Sequence, residues 1–297
     1  MSAAFENRQA RAGWMFLVPA LALIGLFFVL PVLAGLILSL SDFDIYAIGS
    51  PGMARFVGLR NYADTLSNPA FWGAVRNTLY FVLVGGPLSV LVSLCAALLL
   101  TARLVRFRSL FRTIYFAPVV TTLVAVAIVW RYLYHPRYGL LDHALGWFGI
   151  GPIDWLGDPL WAMPAIILLA VWKNFGYNML IFMAGLQSIP EEFYEAASID
   201  GAGARQKFRY VTLPGLAPVF VFICVTTMIG YFQLFAEPYV MTQGGPLGST
   251  RSLVLLMYEE GFRWWRMGIA STLAVLLFLI TLLFTLVQLR LQRRQRS

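Results

Sequence analysis

The sequence predicts an all-α integral membrane protein with six transmembrane helices and a polar helical elbow between two of them. Three observations carry this. Hydrophobic residues make up 60% of the chain and charged residues only 12%, against about 45–50% and about 25% in a typical soluble domain. The apolar residues gather in runs long enough to cross a bilayer, which takes about 20 residues of helix. The basic residues stand in short clusters between those runs, so the net charge of +8 does not form a nucleic-acid-binding patch.

The six spans fall at residues 14–40, 72–102, 110–134, 161–187, 213–235 and 267–289. The first begins at Trp14 and runs well past the about 7–15 apolar residues of a signal sequence, so it reads as an uncleaved span. Pro31, Pro87 and Pro118 interrupt three of the runs; neighbouring helices can re-satisfy the freed backbone groups. In the second span Gly85, Ser89, Ser93 and Ala97 recur every four residues, a stripe of small side chains that lets another helix approach closely. Cys95 and Cys224 lie inside apolar runs. Their spacing suits neither a metal site nor a disulfide framework, and they read as small buried hydrophobes.

Orientation follows from the positive-inside rule. Arg8 and Arg11 precede the first span. Arg103, Arg106, Arg108 and Arg112 fill the second loop, and Arg205, Lys207 and Arg209 the fourth. Arg290, Arg293, Arg294 and Arg296 follow the last span. The alternate loops hold fewer, scattered cations. Both termini therefore face the cytoplasm, which agrees with an even number of spans, since that puts both on one side. The organisation is a cytoplasmic N-terminus at 1–13, a single membrane domain at 14–290 and a basic cytoplasmic tail at 291–297.

The fourth loop, 188–214, is polar and punctuated by glycine. Ser188 and Glu191 fit a capping box around Pro190, so a helix is expected from about Ile189. Glu191 and Glu192 complement its positive end. Gly201 suits the left-handed residue that ends such a helix, and a second short helix fits Ala204 to Tyr210. Phe193, Tyr194, Ile199 and Phe208 give the elbow more apolar surface than a connector needs. Two explanations are open on these grounds: a cytoplasmic protein grips the elbow, or it lies on lipid headgroups.

A family resemblance bears on that choice. Glu195-Ala196-Ala197, three residues, Gly201, nine residues and Val211-Thr212-Leu213-Pro214 resemble the EAA loop of ABC-importer permeases, with Val211 where the family has Ile. Ala184 to Pro190, Ile199 to Ala202 and Tyr239 to Pro246 are similar to its carbohydrate branch, which holds maltose and glycerol-3-phosphate permeases. The chain lacks the extra helices and large outer loop of the eight-span maltose type. The resemblance implies the fold of that transmembrane domain, with loop 188–214 as the coupling helix seated in a cleft of a cytoplasmic ATPase. It makes Glu195, Ala196, Ala197, Asp200, Gly201, Leu213 and Pro214 the coupling residues: Glu195 a polar anchor, Gly201 the turn. Asp200 and Arg205 either add polar contacts or are solvated. The implied partners are a second, related permease chain, two ATPase subunits and an extracytoplasmic sugar-binding protein. The implied location is a bacterial or archaeal cytoplasmic membrane.

A phosphate-binding loop needs Gly-x-x-x-x-Gly-Lys-Ser/Thr. The two lysines, Lys173 and Lys207, do not follow glycine. ATP and its magnesium therefore belong to a partner, and the chain is not expected to be an enzyme or to hold a cofactor.

A charge inside a span marks a functional position. Lys173 lies in the fourth run with Asn174 and Tyr177 close on the same helical face. Counted from the shared motifs, these three, with Thr227 and Tyr231 in the fifth run, fall at sugar-site positions of maltose-type permeases; Gln233 lies close by. The alternative for Lys173 is snorkelling or a bond to a helix carbonyl; for Asn174 and Tyr177 it is bridging between helices. Asn68-Pro69-Ala70 is a single copy of a water-channel-like triplet and reads as the turn before a helix. His135 and Asp142 lack acyltransferase spacing. A stand-alone secondary transporter or channel is the rival reading. It calls for acidic residues central in spans, and none is present there.

Overall fold

The computed structural model describes residues 2–44, 55–102 and 106–294, excepting the side chains of 2–12 and 292–294. Arg103, Arg296 and the side chains of Arg8, Arg11, Arg293 and Arg294, which enter the orientation argument, lie outside that description.

Helices dominate. Four are long and apolar enough to cross a membrane: Gly13–Ser39, Pro69–Thr101, Pro159–Gln187 and Met267–Leu291. Two further pairs qualify only if each is taken as one broken span. Arg108–Val120 and Leu123–Leu133 meet at 100°, and Ala204–Gly215 and Ala217–Phe232 at 65°. The expected run 110–134 is thus a sharply bent pair rather than one rod.

The prolines explain much of the irregularity. A proline inside a helix lacks its N–H and presses on the carbonyl four residues back. Wide π turns occupy Gly25–Val29, Phe81–Gly85 and Phe208–Thr212. Each ends two residues before a proline: Pro31, Pro87 and Pro214. A widened turn moves the clashing carbonyl aside and keeps the axis running. Pro118 has no such turn before it, and there the chain breaks after Val120 instead.

The chain divides into two compact units. The first holds residues up to 68 together with 257–276. In it Ser41–Asp42 pairs antiparallel with Arg55–Phe56. Asn61 Nδ2 donates to the carbonyls of Ser39 at 3.1 Å and Ser41 at 2.9 Å. Thr272 Oγ1 donates to the same Ser39 carbonyl at 3.1 Å. Gly268 passes so close to Ser41 that a Cβ there would stand 2.2 Å from its carbonyl oxygen.

The second unit holds 69–256 and the chain beyond 276, with Pro159–Gln187 at its centre. Inside lipid, apolar burial does not drive helices together, so close packing and hydrogen bonds must. Both are visible. Gly85, Ser89, Ser93 and Ala97 are all buried, as the stripe predicts. Ser93 Oγ donates to the Phe175 carbonyl at 3.0 Å. A Cβ on Gly176 would stand 2.1 Å from the Tyr115 carbonyl oxygen, so no larger residue fits that contact. Phe81, Ile166, Leu169 and Phe232 form part of one core cluster, and Ala97, Met179, Phe182 and Leu216 part of another.

Candidate functional site: a polar cleft and a helical elbow

Lys173 explains the bend after Val120. Its ammonium donates to the carbonyls of Pro118 at 2.8 Å, Val119 at 3.2 Å and Thr121 at 2.8 Å. Thr121 Oγ1 adds a 2.6 Å bond to Pro118 O. A helix that stops inside a membrane leaves its last carbonyls without donors. A lysine carries three donors and no acceptor, which matches three carbonyls with none left over. Lys173 is buried and does not line the cavity described next. Of the two roles its position allows, the carbonyl bonds are the one observed.

The other five predicted substrate residues share one cavity. Asn174, Tyr177, Thr227, Tyr231 and Gln233 line a cleft of about 530 Å³. Pro159–Gln187 supplies the first two. Thr227 and Tyr231 come from Ala217–Phe232, one turn apart, and Gln233 follows that helix. Asn178 Nδ2 donates to Thr227 Oγ1 at 2.9 Å and ties the two helices together. Asn174 Nδ2 bonds the Ala170 carbonyl at 3.0 Å, which fixes its amide and leaves its oxygen as an acceptor. The Tyr231 hydroxyl is buried without a hydrogen bond; Ser89 and Asn174 stand beside it without closing bonding geometry. Its ring lies 4.8 Å from that of Phe81, which also lines the cleft. The cleft therefore combines aromatic faces with amides and hydroxyls, a pairing that suits a polyhydroxylated ligand.

Sequence reasoning left Asn178, Thr226 and Glu237 out of this set. Asn178 lies one turn beyond Asn174 on the same helix, a spacing that signalled it; Glu237 lies past the break after Gln233 and carried no such signal. Glu237 belongs to the short helix Ala236–Met241. Burial raises its carboxyl from the ordinary value, and the charge of Lys173 opposes that rise.

The elbow is two helices, Glu191–Ile199 and Ala204–Lys207, the second continuing through Phe208–Thr212 into Leu213–Gly215. Gly201 takes φ +76°. Ala202 N–H bonds Ala197 O at 2.8 Å and Gly201 N–H bonds Ser198 O at 3.1 Å, the paired bonds of a Schellman turn. The expected capping box does not form. Ser188 Oγ donates back to Gly185 O at 2.8 Å and finishes the preceding helix, and Pro190 precedes a first turn that starts at Glu191. At the next helix Gln206 Oε1 accepts from Gly203 N–H at 2.8 Å.

The two halves of the elbow are laced together. Tyr194 and Thr212 share a 3.0 Å hydroxyl bond. Lys207 Nζ donates to Ser198 Oγ at 2.6 Å, and Ser198 Oγ donates to Tyr194 O at 2.6 Å. Glu195 and Ala196 are exposed, Ala197 is half-buried, and Ile199 is 87% exposed. A groove of about 500 Å³ runs along the elbow, lined by Ile189, Phe193, Ala196, Ala197, Asp200 and Pro214 among others. Leu213 is half-buried and does not line it.

The features singled out and set aside have structural partners. His135 stacks on Tyr138 at 3.5 Å. Asp142 accepts from Trp155 Nε1 at 2.8 Å. Among the described residues no cluster of side chains could hold a metal ion.

Helices long and apolar enough to cross a membrane, with a cleft and a laced elbow in the second unit, define an integral membrane protein. The chain belongs to the binding-protein-dependent transport system inner membrane component family, whose model matches residues 89–297. It is 36% identical over 289 residues to the lactose transport system permease protein of Rhizobium radiobacter, covering 96% of this chain and 95% of that one. It is 35% identical to the trehalose/maltose transport system permease protein of Thermococcus litoralis, covering 100% and 99%. With the sn-glycerol-3-phosphate transport system permease protein of Pectobacterium atrosepticum it shares 31% over 291 residues, 96% of each. The fold is similar to a chain of the crystal structure of a bacterial ABC transporter that imports the acidic polysaccharide alginate, with a TM-score of 0.81 over 99% of both chains at 21% identity.

Proposed function

We propose that this chain is a six-span subunit of an ATP-driven, binding-protein-dependent carbohydrate importer, and that it forms half of the pathway. Each bent pair counts as one span, and both termini face the cytoplasm. One observation carries the substrate reading: Asn174, Tyr177, Thr227, Tyr231 and Gln233, chosen for their positions in sequence, line a single polar and aromatic cleft. Sugars suit it because rings stack on aromatic faces and hydroxyls pair with amides. The names of the relatives, lactose and trehalose/maltose among them, support the same class. Lys173 serves from behind the wall by holding the bend that brings Val119 and Leu123 to the cleft.

The elbow is the coupling element. Glu195 is its polar contact with a cytoplasmic ATPase, Gly201 its turn, and Ala196, Ala197, Asp200 and Pro214 line the groove that receives the partner; Leu213 anchors the return into the membrane. The chain has no phosphate-binding loop, so ATP and magnesium act on that ATPase, present twice. A second, related permease completes the pathway, and an outer sugar-binding protein delivers substrate.

The test is purification of the tagged chain from its native membrane in mild detergent, with mass spectrometry of what accompanies it. A cytoplasmic ATPase and a related membrane chain are the expected companions. A chain that emerges alone under several detergents overturns the coupling reading.

A further inference from the structure

Charge inside the cleft narrows the ligand further, on the reading just given that the cleft is the sugar path. Fifteen residues line it. Fourteen carry no charged side chain; the exception is Glu237. Among the described residues, lysine, arginine and histidine are missing from the lining. The one cation in the helix behind it, Lys173, has all three donors on backbone carbonyls and offers none to a ligand. Arg131 and His135 line a separate pocket of about 270 Å³. Among the described residues Glu237 forms no ion pair, and this half-buried residue lines the cleft.

We infer that this cleft takes neutral saccharides and turns anionic ones away, with Glu237 as the residue that sets the preference. A carboxylate accepts from two sugar hydroxyls at once and strengthens both bonds by its charge. The same group repels a uronate or a phosphate. At an effective dielectric of about 20, a second negative charge brought to about 6 Å is disfavoured on the order of 100-fold. An arriving anion must sit beside the carboxylate or force a proton onto it; a hydroxyl does neither.

The test uses the detergent-purified permease complex without its binding protein, so that selection by the outer protein plays no part. Binding of lactose, trehalose, maltotriose, trigalacturonate and glycerol 3-phosphate is measured by saturation-transfer NMR and competition. Wild type is expected to hold at least one neutral probe and neither acid. Glu237→Gln should shrink the neutral-over-acid ratio on the order of 100-fold, and Glu237→Lys should invert it. If Glu237→Lys does not reach the membrane, the near-isosteric Gln variant carries the reading. An unchanged ratio in Glu237→Gln overturns the inference. So does a wild type that holds trigalacturonate as tightly as maltotriose, which leaves the sugar reading standing. A wild type that holds no saccharide of either kind overturns both.

Discussion

The cleft and the groove on the elbow are nearly equal in size, about 530 and about 500 Å³, and both have mainly apolar walls, yet they differ in which polar groups they present and in where they sit. The cleft presents amides, hydroxyls, a carboxyl and tyrosine faces, held by bonds between helices such as Asn178 to Thr227. The groove presents Ile189, Phe193, Ala196, Ala197 and Pro214 with Ser188, Asp200 and Tyr210 among them, and its bonds run within one loop. Aromatic faces beside a few amides and hydroxyls, set among apolar helices, suit a small hydroxylated ligand. An apolar hollow on an exposed elbow fits a side chain of another protein. Volume alone distinguishes neither.

Substitutions in the two regions should therefore fail differently. The largest effect is expected from Lys173→Met. It leaves the Val119 and Thr121 carbonyls without a donor at the bend, while Pro118 O keeps the Thr121 hydroxyl, at a cost of about 1–3 kcal/mol for each buried group left unpaired. The thermal inactivation midpoint in detergent should fall sharply. If the protein stays as stable as wild type and loses only substrate affinity, Lys173 belongs to the cleft after all.

Next comes Gly201→Val, which places a branched side chain at φ +76° for about 1–3 kcal/mol of local strain. Cleft binding should persist while ATP-driven uptake collapses. Gly201→Asn, which tolerates that conformation, should restore uptake; if it does not, the turn is not what coupling needs.

Thr227→Val removes the acceptor of the Asn178 amide. Helix-to-helix hydrogen bonds in membranes average about 0.6 kcal/mol, so the melting shift should be small while sugar affinity drops several-fold. Equal losses of stability and of ATPase association would blur the contrast between the regions. The smallest effect is expected from Gln206→Ala, which removes the cap at Gly203. About 0.5–1 kcal/mol of local stability should appear as faster amide exchange at residues 203–207, with uptake near wild type.

Much of this was legible in the residues. Four of six apolar runs became long helices within a few residues of their expected ends, because hydropathy over about 20 residues is a strong signal. The small-residue stripe and the Gly201 turn follow from side-chain size and left-handed φ, both local properties. The cleft residues were legible through the family resemblance, counted from the motifs shared with maltose-type permeases; composition and spacing alone did not single them out. The 100° bend was not. Pro118 signals trouble, but whether a helix swells or breaks there depends on a lysine 55 positions away. Ser188 misled for a related reason: a serine two residues before a proline can close one helix or open the next, and here the long preceding helix claimed it. Glu237 was passed over because it sits just beyond a span end, where carboxylates are ordinary.

The wide turns before Pro31, Pro87 and Pro214 also bear on how such chains can change length over time. Removing one residue from an ordinary helix rotates everything beyond it by about 100°, and every buried face is lost. A π turn already carries one residue more than the flanking helix requires. Deleting a residue from Phe81–Gly85, together with Pro87→Ala, should leave a plain helix whose two halves keep their faces. These prolines mark the places where a membrane-crossing segment can be edited by single residues while its neighbours stay in phase.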